Sequence, residues 1–246
     1  MRRKGVPILT GDGSGRAGVA VGIVFGLEFC FVNFGLHFTA ASRLVVFLYL
    51  APFVVAIGMP FIASTERLNR TQTVGLVAAF AALAFAFEEG LVADDALPLQ
   101  WLGDTLAIGG GILWGATTLM IRATRLSTAA PERTLFFQLA VSAPVLLLVA
   151  ALAGESLPAA TVEGAASMLF QAVLVAFASY LIWFWLLRHY PATRVSAFTF
   201  LTPVSALLFG ALLLGEPITT RLLVALAGVA LGIQLVNRRS APRGDG

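Results

Sequence analysis

Residues Phe38–Phe53, F-T-A-A-S-R-L-V-V-F-L-Y-L-A-P-F, align without gaps with His189–Val204, H-Y-P-A-T-R-V-S-A-F-T-F-L-T-P-V. The two stretches share five identities: Ala41 with Ala192, Arg43 with Arg194, Phe47 with Phe198, Leu50 with Leu201, and Pro52 with Pro203. After one deletion, Glu66 aligns with Glu216. Each copy predicts a helix, a short basic turn, a helix with an internal proline, an acidic turn and another helix. The alternative is that a chain rich in Ala, Leu, Val and Phe aligns with itself by chance.

The composition places these helices in a membrane. Hydrophobic residues make up 59% of the 246 residues and charged residues only 12%. Soluble domains have about 45–50% apolar residues and about a quarter charged ones. A cytosolic enzyme and a disordered chain are therefore excluded, because neither can carry so much apolar sequence. The single cysteine, Cys30, also excludes a disulfide scaffold.

Eight apolar segments are long enough, within the usual error at their ends, to cross the membrane, which takes about 20 residues. The predicted spans are Ala17–Phe38, Leu44–Ala63, Thr73–Phe87, Gly103–Ile121, Leu135–Ala153, Ala165–Leu187, Val195–Leu214 and Leu222–Val236. The sequence thus predicts an all-α integral membrane protein. Because the number of spans is even, both termini lie on one side.

The basic residues predict which side that is. One set of connecting segments holds fourteen of the sixteen Lys and Arg residues, and the other holds only Arg43 and Arg221. Basic loops remain in the cytoplasm, so both termini are predicted to be cytoplasmic. The net charge of +3 then reflects topology and some attraction to anionic lipid headgroups, not nucleic-acid binding. In this topology Arg43 faces outside and Arg194 inside, which makes the repeat an inverted one, typical of transporters.

The repeated motifs resemble those of a known family. In the first copy they are T-A-A-S-R, L-A-P-F and T-E-R-L, and in the second P-A-T-R-V-S-A-F-T-F-L-T-P-V and L-L-G-E-P-I. These motifs are similar to the EamA domains of the drug/metabolite transporter superfamily, over Val19–Val236. The resemblance implies two inverted five-helix units around a polar cavity for small metabolites, located in the cytoplasmic (inner) membrane.

Compared with that pattern, the first repeat has three helices and the second has five, an incomplete 5+5 arrangement. The resemblance therefore implies that the chain lacks the first two helices of the family. The expected parts are a cytoplasmic leader (1–16), a partial first repeat (17–90), an external acidic link (91–101), a second repeat (102–237) and a cytoplasmic tail (238–246).

Glu28 is the strongest candidate for function. It is the only acidic residue near the middle of a predicted span, and a carboxylate at that depth is costly unless it faces a cavity or a partner. Gly18, Gly22 and Gly26 form a packing stripe with Asn33 on the same helix, and Glu28 points elsewhere. The sequence favours a group that takes up a proton or binds a substrate amine. A neutral, hydrogen-bonded structural acid is the alternative.

Further candidates lie within the spans. Pro52 and Pro203 are predicted to kink their helices and shape a central cavity, since each removes a backbone hydrogen bond. The remaining substrate-binding or coupling candidates are Asn33, Tyr49, Trp114, Gln138, Gln171, Tyr180, Trp183 and Thr199. Five of these, Trp114, Gln138, Gln171, Tyr180 and Trp183, are polar or aromatic groups for which lipid anchoring or helix packing is an equally good explanation. Trp114 and Gln171 are the best candidates among the five.

Other motifs carry no chemistry. Gly13–Gly18 matches the spacing of a dinucleotide-binding loop, but a membrane helix follows it and no acidic residue lies about 20 positions later. The chain has no H-E-x-x-H, C-x-x-C or G-x-S-x-G pattern. We therefore expect no metal, no cofactor and no enzymatic activity. Gly111-x3-Gly115 and Gly228-x3-Gly232 are spacings that allow close helix packing.

The sequence favours a secondary transporter that exports a small metabolite, such as an amino acid or a drug-like compound, by alternating access. Export is implied by the resemblance alone. The expected partners are the metabolite, a proton as coupling ion, membrane lipid and a second copy in a homodimer. The alternative is a truncated membrane protein that does not transport and only packs with other helices.

Overall fold

A computed structural model of the chain describes residues 14–92, 97–155, 161–214 and 219–238. Most of the predicted leader, part of the external link, Glu216 and the tail after Arg238 lie outside the described residues. Where the structure describes the chain, every regular element is helical and none is a strand. The predicted all-α fold is confirmed.

The described residues form twelve α-helices and one π-helix. They are α1 (Ser14–Leu36), α2 (Ala41–Leu48), α3 (Ala51–Ile62), α4 (Arg70–Ala86), α5 (Glu88–Val92), α6 (Gln100–Ala123), α7 (Pro131–Leu152), α8 (Val162–Phe170), the π-helix (Gln171–Ser179), α9 (Tyr180–His189), α10 (Ala192–Phe198), α11 (Leu201–Leu214) and α12 (Thr220–Asn237). Single turns of 3-10 helix occupy Ser64–Glu66 and Arg125–Ser127.

Within the described ranges, six helical segments are long and apolar enough to cross a membrane. They are Ser14–Leu36, Ala41–Ile62, Gln100–Ala123, Pro131–Leu152, Val162–His189 and Ala192–Phe209. Two shorter apolar helices, Arg70–Ala86 and Leu223–Asn237, correspond to the third and eighth predicted spans. Each of the eight predicted spans is therefore mainly helical where it is described.

Local sequence explains where α4 begins. The Asn69 side chain accepts a hydrogen bond from the backbone N–H of Gln72, and the Gln72 side chain accepts one from the backbone N–H of Asn69. This capping box satisfies donors that the first turn of a helix leaves free. The Gln72 amide nitrogen also donates to the carbonyls of Val236 and Arg238, at 3.0 and 3.1 Å. One buried glutamine thus fixes the start of α4 and the end of α12.

The chain contacts divide it into two compact units. The described residues up to Cys30 join Thr117–Tyr190 in the first unit, and Phe31–Ala116 join the described residues from Pro191 onward in the second. Each unit therefore combines segments from both predicted repeats.

In the first unit, α1 packs along α7 through its glycines. Gly18 contacts Phe137, Gly22 contacts Val141 and Gly26 contacts Val145. None of the three positions has room for a Cβ atom in ordinary van der Waals contact. Because the contacts advance in the same direction along both helices, α1 and α7 are parallel. The glycine stripe packs as its spacing predicts.

In the second unit, α4 and α12 form a close antiparallel pair. Gly75 lies against Gly232, and Gly228 lies against Ala82. On another side of the unit, Gly111 and Gly115 of α6 approach the backbone of α2 and α3. Small residues allow this closeness, which gives membrane helices more van der Waals contact. The two small-residue spacings therefore serve helix packing, as predicted.

The second unit also contains two broken helices. The first is interrupted between Leu48 and Ala51, and the second between Phe198 and Leu201. In the repeat alignment these breaks coincide to within one residue. Pro52 lies in the first turn of α3 and Pro203 in the first turn of α11. A proline there loses no helical hydrogen bond, so each one starts a new helix after a break, where the sequence suggested a kink in a continuous helix.

Candidate functional site

Glu28 is a buried acid on the α1 segment of the first unit. Only 7% of the residue is exposed, and its Oε2 atom has no hydrogen-bond partner in the part of the chain that the structure describes. A buried charge without a partner is strongly unfavourable in protein and in lipid. The carboxyl group therefore needs a proton or an incoming cation to balance it.

Aromatic rings surround this part of α1. Phe25 lies one helical turn before Glu28, so both project to nearly the same side of the helix. Its ring centroid is 4.8 Å from that of Phe29 and 5.6 Å from that of Tyr180, both in edge-to-face geometry. Tyr180 stacks on Phe184 at 6.2 Å and lies close enough to Glu28 for an electrostatic interaction. The structure thus brings together two predicted candidates, Glu28 and Tyr180.

Gln138 is a second buried polar candidate in the first unit. It lies on α7, is 2% exposed, and its Oε1 atom has no hydrogen-bond partner within the described ranges. A buried amide oxygen without a donor costs about 1–3 kcal/mol. The Gln138 oxygen can therefore accept a hydrogen bond from a ligand or a water molecule, or from a donor that a conformational change brings near.

Tyr49 and Trp114 are brought together in the second unit. Tyr49 lies in the first helix break, and its ring packs edge-to-face on Trp114 at 5.5 Å. The centroid of the Tyr49 ring is also 6.0 Å from that of Phe200, which is the residue aligned with Tyr49 in the repeat. The Tyr49 hydroxyl lies near the side chain of Thr202. The two broken helices therefore meet at their breaks through a pair of aligned residues.

Thr199 lies in the second break, but its side chain is used locally. Its hydroxyl donates to the carbonyl of Ser196 at 2.7 Å. This bond satisfies an acceptor at the end of α10, where the helix leaves carbonyls without partners. Thr199 therefore stabilises the break, and its donor is already occupied.

Three predicted candidates are less buried than Glu28 and Gln138. Asn33 and Gln171 are exposed, and the Gln171 amide nitrogen contacts the hydroxyl of Ser167 at 3.3 Å on its own helix. Trp183 is half-buried. Gln171 begins the π-helix, and its exposure places it on an outer surface of its unit, which the sequence pattern did not indicate.

Two polar contacts in the second unit were not predicted. Arg43 pairs with Asp104 at 2.6 Å, and Thr39 donates to the same carboxylate at 2.7 Å. The buried Glu66 accepts a bond from the backbone N–H of Thr193 at 3.4 Å, at the start of α10. The sequence signals were Asp104 just inside a predicted span and Glu66 in the repeat. Neither signal identifies a partner so distant along the chain.

The described residues contain no group of three or more His, Cys, Asp or Glu side chains that could hold a metal ion. The first unit instead has two buried polar side chains with an unpartnered oxygen, Glu28 and Gln138, and aromatic rings lie near Glu28. Such an arrangement suits reversible binding of a small molecule or a proton inside a membrane protein.

Comparisons with known proteins agree with this picture. The model of the EamA-like transporter family matches residues 101–238. Two proteins of Bacillus subtilis (strain 168), the uncharacterized transporters YoaV and YvbV, are each 26% identical to the chain. The YoaV match covers 87% of this chain and 73% of the relative, and the YvbV match covers 89% and 68%. A crystal structure with 18% identity superposes with a TM-score of 0.78, covering 94% of this chain and 77% of that one.

The fold and its buried polar groups define a multi-pass membrane protein. The family match extends over more than half of the chain. The chain belongs to the EamA-like transporter family.

Proposed function

We propose that this protein is a secondary transporter of the cytoplasmic membrane that exports a small metabolite, such as an amino acid or a drug-like compound. The observation that carries the proposal is Glu28, a buried carboxyl with an unpartnered oxygen inside a membrane-spanning helix. A proton balances this group in the closed packing of the first unit. Exchange of that proton for the cationic group of a cargo couples transport to the proton gradient.

Alternating access is the mechanism that the second unit favours. The two broken helices are interrupted at aligned positions, to within one residue. They contact each other there through Tyr49 and Phe200. The α4 and α12 pair is antiparallel, as expected if the two repeats have opposite orientations. Breaks in membrane helices are tolerated where they are buried in protein or line a cavity. We propose that the two repeats rock against each other about these breaks.

Glu28→Gln is expected to abolish proton-linked transport while preserving the fold, because glutamine keeps the shape of the side chain and cannot titrate. The measurement uses purified protein in proteoliposomes with an internal pH dye and a panel of amino acids and amine drugs. The matched control is Glu163→Gln, which changes an exposed acid in the same unit.

The wild type and Glu163→Gln should move protons with at least one compound, and Glu28→Gln should not. Normal cargo-linked proton movement by Glu28→Gln from roughly pH 5 to 8 would remove the coupling role. A wild-type chain that moves no compound of the panel would favour a membrane protein that only packs with other helices.

Both termini are proposed to lie in the cytoplasm, and labelling of introduced cysteines tests this topology. Cysteine at Glu155 should react with a membrane-impermeant maleimide on intact bacterial cells. Cysteine at Thr128 should react only after the cells are permeabilised. Both positions are exposed, and the native Cys30 is buried and should contribute little background. The opposite pattern of labelling would contradict the proposal and place both termini outside the cell.

A further inference from the structure

A row of buried polar side chains lies along one face of α7 in the first unit. The row consists of Thr134, Gln138 and Ser142, which follow one another at a spacing of four residues. Residues four apart lie one above the other on a helix, about 6 Å apart along its axis. The row therefore extends over about 12 Å, from near the start of α7 to the middle of the helix.

A small depression opens beside the first residue of this row. Thr134 lines it together with Ser127, Phe184 and Leu187. The depression has room for about one water molecule. It lies where α6 ends and α7 begins, which is the end of the unit proposed to face the cytoplasm. A water molecule there lies beside Ser127 and Thr134, which both carry hydroxyl groups.

The aromatic face of α9 connects this depression with Glu28. Phe184 lines the depression, and its ring stacks on that of Tyr180, one helical turn away, at 6.2 Å. The Tyr180 ring is 5.6 Å from that of Phe25, and Tyr180 interacts electrostatically with Glu28. The wall that begins at the depression therefore extends to Glu28.

The polar row of α7 leads in the same direction. The start of α7 and the end of α9 line the same depression, so the two helices are antiparallel and both lead away from it toward the middle of the membrane. Gly26 of α1 lies against Ser142 and Val145. Because α1 is parallel to α7, Glu28 lies just beyond the level of Ser142. The row thus extends from the depression nearly to the level of Glu28.

Several oxygen atoms along this path can accept hydrogen bonds. Gln138 Oε1 and Glu28 Oε2 have no hydrogen-bond partner among the described residues. The Ser142 hydroxyl donates to the carbonyl of Leu139 at 3.4 Å, and its own oxygen can still accept. Buried polar atoms that no protein group satisfies commonly bind ordered water. The row therefore offers hydrogen-bonding groups at successive turns between the depression and Glu28.

We propose that this row is the route by which a proton passes between Glu28 and the cytoplasm. The inference rests on the proposed proton coupling of Glu28. The Glu28 carboxyl gives its proton to a water molecule held by Ser142 and Gln138, and becomes a carboxylate. Each following water molecule accepts one proton and passes another on, until the water at Thr134 releases one to the cytoplasm. Gln138 is a positioning residue, because its amide oxygen holds the water and does not itself carry the proton.

The charged side chains near the depression do not replace the row. They are Arg122, Arg133, Arg188 and the exposed Glu132. A guanidinium keeps its proton in proteins, so the three arginines cannot pass one on. Glu132 is exposed in the first turn of α7 and can accept the proton only after it has reached the surface.

The test follows deuteration of the Glu28 carboxyl in the full chain in detergent, by infrared spectroscopy after rapid mixing with D₂O. A protonated carboxyl has a C=O stretching band that shifts when deuterium replaces the proton, and Glu28→Gln identifies the band by its loss. The test variant is Gln138→Met, which keeps the length of the side chain and removes its hydrogen bonds. The matched control is Gln234→Met, which changes an exposed glutamine of α12.

The wild type and Gln234→Met should exchange at the same rate. Gln138→Met should exchange at least about tenfold more slowly, which corresponds to about 1.4 kcal/mol in the barrier, because the row then lacks a hydrogen-bonding position at its centre. Thermal unfolding of each variant checks that the fold is kept.

A second pair of variants tests the depression. Ser127→Cys, labelled with a maleimide, should fill the depression and slow exchange at Glu28. The labelled Thr128→Cys is the matched control, because this neighbouring residue is exposed and does not line the depression. The native Cys30 is buried and should react little.

The outcomes separate this inference from the proposed function. Equal exchange rates in Gln138→Met and the wild type would overturn the route and leave the coupling role of Glu28 intact. Absence of the carboxyl band in the wild type would contradict the proton on Glu28 and with it the proposed function. If Gln138→Met fails to fold, the labelled cysteines decide, because equal rates in the two would contradict passage through the depression.

Discussion

Replacing Gly232 with valine is expected to lower the free energy of unfolding by about 3 kcal/mol, the upper end for overpacked sites. A Cβ at this position would lie 2.6 Å from the carbonyl oxygen of Gly75 and 2.7 Å from the backbone N of Ala79. Neither atom can move aside as the end of a flexible side chain can. Helices α4 and α12 would have to separate, with loss of the Gln72 bonds between them.

The measurement is unfolding of the purified protein in detergent, followed by circular dichroism. The matched control is Ala230→Val, which adds a valine on an exposed face of the same helix. It should unfold within about 0.5 kcal/mol of the wild type. Equal stability of the two valine variants would show that the α4 and α12 contact is not as close as the structure describes.

Replacing Arg43 with alanine is expected to cost about 2–3 kcal/mol. Arg43 binds both carboxylate oxygens of Asp104, at 3.2 and 2.6 Å, and donates to the carbonyl of Leu91 at 2.5 Å. The side chains of Arg43 and Asp104 are only 17% and 16% exposed. Breaking a fully buried pair costs about 3–5 kcal/mol, because the remaining charge has no partner, and the partial exposure reduces this figure.

Two controls separate the ion pair from a general effect of charge. Arg221→Ala breaks contacts with Glu88 and Glu89, whose side chains are 51% and 86% exposed, and should cost no more than about 1 kcal/mol. Arg43→Ala combined with Asp104→Ala should be no less stable than Arg43→Ala alone, because the unpaired carboxylate is gone. A double variant whose losses simply add would mean that the pair contributes little.

At the two repeated prolines, the helix interruption lies at a different place from the one the sequence predicts. Their repeated spacing predicted an irregularity at Pro52 and Pro203, and both helices are indeed interrupted nearby. The sequence could not indicate that the interruption lies upstream of each proline. Proline is also favourable in the first turn of a helix, so its presence alone does not distinguish a kink from a new start.

The candidate site was predicted in part. Glu28 is buried, as its position in a predicted span suggested, and Tyr180 lies close enough to it for an electrostatic interaction. Gln171 was among the two best placed candidates, yet its side chain is exposed. A polar residue in an apolar helix can face either a neighbour or the outside, and one sequence does not define the rotation of the helix.

The sequence by itself determined the class of protein, because an apolar segment of about 20 residues has few stable alternatives to a membrane helix. It also determined the packing face of α1, since glycines at a spacing of four lie on one side of a helix. Only the tertiary structure decided the partners of Arg43 and Glu66. Asp104 and Thr193 are far away along the chain, and no local pattern encodes which helices will be neighbours. Residues distant in sequence meet where packing places them, so the polar contacts of this protein are a property of the folded chain.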